Sequence, residues 1–184
     1  MKVLMLDPPQ AMLDERRRLG LDGRDEMWDG VLHMVPPPGG PHQRGSTDLM
    51  LALGELAKRR GLVPHMETGL FRATDDYRVP DQLYCRPEHL SERGVEGADL
   101  VVEFCSPGDE TYDKVEFYAA AGVREMLVVH PGDRRVEVYR AVGNQLLPVQ
   151  AAAGGMLGLG TLGVELRTEG GALHLSWDGG SAQI

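Results

Sequence analysis

A carboxylate stands inside an apolar run at residues 100–105, LVVEFC, as Glu103. A continuous apolar run marks a strand buried on both faces. An ionised acid there is costly unless it is paired or holds a cation. Two further residues can join it: Asp81, directly after Pro80, and Lys114, on the segment after the apolar run. Two carboxylates and an ammonium converging on one point can hold a hard cation such as Mg²⁺, which keeps several waters. Such a cation lowers the pKa of a bound water, and the lysine can orient that water or stabilise developing charge. His42 could stand at the rim as a phosphate donor or proton shuttle. A plainer account uses the same residues: Glu103 and Lys114 as a buried ion pair, Asp81 as a turn residue, His42 as a satisfied structural histidine. Spacing alone leaves both accounts open.

The elements that must position these groups can be read from pattern. Residues 99–130 read as strand, turn, helix, strand. Ser106, Pro107 and Asp109 have capping-box character for a helix that carries Lys114, Tyr118 and Ala121 on one face and ends at Gly122. Two buried strands joined by a helix form a right-handed crossover and run parallel. Upstream, EMWDGVLHMV at residues 26–35 reads as a hairpin about Asp29-Gly30. The PPPGGP stretch at 36–41 stops regular structure. A helix then spans about 42–60, with Leu49, Leu53 and Leu56 at helical spacing and Gly61 as its C-terminal cap. His42 falls at its start, on the leucine side. Residues 62–72 and 78–86 read as two strands around a turn at Asp75-Asp76. Pro80 makes the second an edge strand or a bulge.

A short helix at 13–20 ends at Gly20, and Arg16 to Arg18 form its solvated face. Residues 136–139 and 145–149 pair as a hairpin. Short strands follow at 164–166 and 173–175, and the last six residues are expected to fray. Gly158 to Gly163 match G-x-G-x-x-G by chance, because no helix or downstream acid completes a dinucleotide site.

Composition bounds the possibilities. The chain has 184 residues, 42% hydrophobic and 26% charged, enough for one domain with a real core. A single domain over residues 1–184 is expected, its core at about 26–149 with a strand-rich extension at 150–184. No membrane span or signal segment is evident, so the expected location is cytoplasmic. Cys85 and Cys105 lack metal or disulfide spacing and read as buried free thiols. A net charge of -9 fits a general nucleic-acid binder poorly, although it suits cation use.

Taken as a set, four stretches resemble the Uma2 family, the DUF820 group of restriction-endonuclease-type proteins within the PD-(D/E)xK nuclease superfamily. They are DEMWDGVLHMVPPPGGPHQR, VPDQLYC, DLVVEFCSP and DETYDKVEFYAAAGVREMLVVHP. The resemblance implies an α/β (mixed α+β) restriction-endonuclease-like core: a mixed central sheet flanked by helices, with extra antiparallel strands. It implies that Asp81 is the motif aspartate and Glu103 the second acid. The superfamily's usual lysine would fall at Cys105; in this family it has moved to the following helix, as Lys114.

Two functions follow as expectations. The first is a metal-dependent endonuclease acting on DNA. In it Asp81, Glu103 and the Phe104 backbone carbonyl hold Mg²⁺ or Mn²⁺, Lys114 assists the attacking water, and His42 sits near the phosphate. The second is a non-catalytic, oligomeric binding or regulatory protein that keeps the fold. A homodimer is expected in either case, from the commonness of such dimers and from edge-like strands.

Overall fold

In the computed structural model the described residues are 3–35, 37–106 and 108–184. Pro36 in the proline-rich stop and Pro107 at the expected helix start lie outside them. The chain opens with β1 (Val3–Leu6), α1 (Gln10–Arg18), β2 (Glu26–Trp28) and β3 (Val31–Met34). The turn between β2 and β3 has positive φ at both Asp29 (47°) and Gly30 (83°), the conformation a tight two-residue hairpin requires. Helix α2 (Gly40–Arg59) follows, with Leu49, Leu53 and Leu56 buried and Gly61 at φ 75° just past its end.

Next come β4 (Val63–Met66), β5 (Leu70–Ala73), β6 (Asp76–Arg78) and β7 (Gln82–Cys85). The two strands expected at 62–72 and 78–86 are thus four. The first breaks at Glu67, whose φ of 49° turns the chain out of one sheet and toward another. The second breaks across Val79 to Asp81, again between sheets. Asp76 opens β6 rather than sitting in the turn, which is Thr74–Asp75. Pro80 therefore marks a crossing between sheets: β7 is an interior strand, paired with both β10 (Leu100–Phe104) and β4, after the short β8 (Leu90–Ser91) and β9 (Gly94–Val95).

After β10 the chain forms α3 (Val115–Ala120), β11 (Glu125–Val129), β12 (Val136–Val142) and β13 (Gln145–Pro148). The helix is shorter than expected. Gly108 has a left-handed φ of 79°, and a single 3₁₀ turn at Tyr112–Lys114 precedes α3. Lys114 sits in that turn, and the Asp109 carboxylate accepts from the Ser106 and Thr111 amides, closing the loop rather than capping a helix. The crossover is as expected: β10 and β11 pair in parallel, Glu103 beside Val128.

The chain ends with β14 (Leu157–Leu159), β15 (Val164–Glu169), β16 (Ala172–Trp177) and β17 (Gly180–Gln183). The last residues do not fray. Gly179, at φ 85°, turns the chain back, β17 pairs with β16, and Leu173 and Ile184 exchange both backbone hydrogen bonds at 2.9 Å.

Among the described residues these strands make three sheets. The central one is mixed, in the order β13-β12-β11-β10-β7-β4; a second carries β2, β3, β5 and β6, and the third is β14 to β17. Strand alternation splits the core. Leu100, Val102 and Phe104 pack with the leucines of α2 and with Leu159, Leu166 and Leu175 of the third sheet. Val101, Met126 and Val128 pack with Phe117 and Tyr118 of α3. Glu103 shares this second face. No described helix is long and apolar enough to cross a membrane.

Candidate active site

The antiparallel register of β7 and β10 aligns Gln82 with Val102, so Asp81, one residue earlier, meets the end of β10 near Glu103. The Phe104 amide donates to Asp81 Oδ2 at 2.8 Å, and His42 Nε2, from the first turn of α2, lies 2.9 Å from Oδ1. Arg24 Nη2 approaches the same Oδ1 at 3.5 Å. Burial alone would push the Asp81 carboxyl up, but His42, the Phe104 amide and Lys114 outweigh it and hold Asp81 below the usual carboxylate range.

Glu103 is 4% exposed. It accepts from Lys114 Nζ at 3.1 Å and from the Tyr118 hydroxyl. Burial pushes its pKa up to about 7; Lys114 pulls the other way, while Asp81 and Glu26 add to the rise. Lys114 also donates to Glu26 Oε1 at 2.8 Å. Burial would lower the Lys114 pKa, but Glu103 and Glu26 together hold it above its ordinary value. The ammonium is therefore a fixed positive charge between two acids.

Asp81, Glu103, Lys114, His42 and Phe104 all line one cleft of about 470 Å³, with Arg24 and Glu26. The structure thus brings together every residue singled out in the sequence. Three partners went unrecognised there. Glu26 is held by Lys114, by the Val79 amide at 2.9 Å and by Trp28 Nε1 at 2.8 Å. Tyr118, one helical turn after Lys114, completes the Glu103 contacts. Arg24 joins Asp81 to Glu67. The signal for Glu26 was the one that exposed Glu103, an acid in a short strand beside apolar residues, but only the fold shows that Lys114 reaches it. Cys105 is half-buried and Cys85 buried; both are free thiols.

Among the described residues no group of three His, Cys, Asp or Glu side chains stands ready-made for a metal ion. The donor chemistry nonetheless fits a hard cation: two carboxylates, Asp81 and Glu103, on the wall of one cleft, with Phe104 beside them.

A comparison with curated proteins found no match. A solved structure, described as a putative nuclease belonging to DUF820 from Anabaena variabilis, superposes with a TM-score of 0.63 at 18% identity. The match covers 82% of this chain and 89% of that one, and at this identity it establishes the shared fold. The model of Uma2, described as "Putative restriction endonuclease", matches residues 13–169. With most of its length and its fold accounted for in this way, the chain belongs to the Uma2 family.

Proposed function

We propose that this chain is a metal-dependent nuclease that hydrolyses phosphodiester bonds of DNA in the cleft beside Asp81. The observation that carries this reading is the meeting of Asp81, Glu103, Lys114 and His42 on one concave surface. Asp81, Glu103 and the Phe104 carbonyl would hold Mg²⁺ or Mn²⁺, which when bound supplies an acidified water and charge neutralisation at the phosphate. Lys114 is held protonated by two acids, so it acts as an electrostatic and orienting group rather than as a base. His42 keeps Nε2 on Asp81, which leaves its other ring nitrogen to meet a phosphate oxygen. The family and the fold of the DUF820 relative support nuclease chemistry.

The second reading is a non-catalytic, oligomeric binding protein. It is favoured by the engagement of Lys114 with two carboxylates and by the net charge of -9. In both readings we place the protein in the cytoplasm, which suits its two free thiols, and as a homodimer. Edge strand β1, with Leu4 and Leu6 exposed, offers one surface for the pairing.

The test is cleavage of plasmid and single-stranded DNA with Mg²⁺ or Mn²⁺. Glu103→Ala and Lys114→Ala should each lower the rate by roughly 10²-fold or more. Cleavage unchanged by both substitutions overturns the assignment. Absence of both cleavage and a metal-induced thermal shift selects the binding-protein reading.

A further inference from the structure

At the opposite end of the central sheet lies a second concavity, of about 270 Å³, with the reverse electrostatic character. Asp81 and Glu103 stand where β7 begins and β10 ends; Arg86 follows β7, and Asp99 precedes β10. The two places are roughly 15 Å apart by strand rise. Three guanidinium groups line the second concavity: Arg60 at the end of α2, Arg86, and Arg124 just before β11. One acid faces them. Asp99 Oδ1 lies 3.3 Å from Arg124 Nε and 3.6 Å from Arg86 Nη2, so one carboxylate oxygen is shared between two cations.

Arg60 has no hydrogen-bond or ion-pair partner among the described residues. It is nevertheless placed. Its guanidinium rests against Gly163, where a Cβ would come within 2.2 Å of Nη2. Gly163 has φ +63°, so glycine there serves both the turn and the approach of Arg60. The other acid nearby, Glu125, is already committed to Arg140 and to the Gly160 and Thr161 amides. Three positive charges against one leave a net charge of +2 in a concave site, on a chain whose total is -9. Guanidinium forks match tetrahedral oxyanions in geometry and form charge-assisted hydrogen bonds to them.

We propose that Arg60, Arg86 and Arg124 form an oxyanion site for a phosphate group, separate from the acidic cleft. The phosphate could belong to a free phosphate or small phosphate ester, or to a nucleic-acid backbone. Arg60 and Arg124 are the contacts the ligand gains most from, because Arg60 is unpartnered and the Arg124 side chain is 65% exposed.

The test is calorimetric titration of the full chain, in EDTA, with sodium phosphate against sodium chloride at equal ionic strength. Wild type should bind inorganic phosphate saturably. Arg60→Ala and Arg124→Ala should each weaken binding by about tenfold, as expected for loss of a charge-assisted contact, and Arg60→Lys should restore part of it. Glu103→Ala should bind phosphate as wild type does, which separates this site from the proposed nuclease centre. A labelled single-stranded oligonucleotide identifies the source. Competition by phosphate, with weaker binding by the Arg60→Ala/Arg124→Ala chain, assigns the site to backbone phosphate. Phosphate binding with oligonucleotide affinity unchanged assigns it to a free phosphate or small ester. A phosphate response no larger than chloride's, or wild-type binding by Arg60→Ala, overturns the proposal. Because Arg60 is exposed and unpartnered, that variant folds and carries the test even if Arg124→Ala does not.

Discussion

Two glutamates in one row of the central sheet are held in opposite protonation regimes. Glu103 of β10 lies beside Val128 of β11, and Val128 lies beside Glu137 of β12. Glu103 is enclosed, with one cation and one hydroxyl to satisfy it, and its pKa is pushed up to about 7. The Glu137 side chain is 26% exposed and accepts from His130 at 2.9 Å, Tyr112 at 2.8 Å, Tyr139 at 3.1 Å and Arg135. Burial alone would raise its pKa too, but those donors outweigh it and hold Glu137 down to about 2. The residue type and the sheet row are shared. What differs is how many donors meet the charge and how much water remains, and that contrast sets one acid up for chemistry and the other for structure.

The comparison breaks most sharply at Lys114. Lys114→Met leaves Glu26 and Glu103 buried without their shared cation, at 2% and 6% side-chain exposure. Breaking a buried pair from one side costs about 3–5 kcal/mol, because a charge is left uncompensated. Urea unfolding near pH 8, in EDTA, should show a loss of that size. A loss under about 1 kcal/mol, the scale of an exposed pair, would mean that Lys114 does not bridge the two acids.

A smaller effect is expected on the other face of β10, where Val102 and Phe104 pack against α2 without charge. Leu53, fully buried there, should cost about 2–5 kcal/mol on replacement by alanine. This loss should be the same at pH 6 and pH 9, since no titrating group is removed. A pH-dependent loss would show that the polar and apolar faces of β10 are coupled.

The sequence exposes β10 and its acid because a charge in an apolar run is a local contradiction. The β2–β3 hairpin, the leucine face of α2 and the parallel crossover were legible for a similar reason: each rests on residues close in the chain. What escaped was set by distance. Lys114 and Glu26 are 88 residues apart, and nothing in EMW distinguishes a site acid from a strand acid. The break at Glu67 depends on a positive φ at a residue with no glycine signal. β17 needed only the turn at Gly179, but so short a C-terminal strand has no pattern of its own. Glu137 reads as one polar position of an alternating strand. Its donors come from Tyr112 and His130 as well as from Arg135 and Tyr139, and only the assembled sheet gathers them.

Glu137 supplies the mildest test. Its folded pKa of about 2 lies below the ordinary value of 4.5, so the folded state binds fewer protons there than the unfolded chain. Stability from this source is complete above pH 4.5 and is lost as the pH falls toward 2. Because the group is partly exposed, solvent screening reduces it to about 1 kcal/mol. Glu137→Gln keeps the shape and removes the charge. Wild type should be the more stable by about that amount near pH 7, and the gap should narrow in denaturant titrations carried down to pH 3. A gap that stays constant over this range would mean that the donors around Glu137 serve it no better than they serve a neutral amide. The contrast with Glu103 would then rest on burial alone.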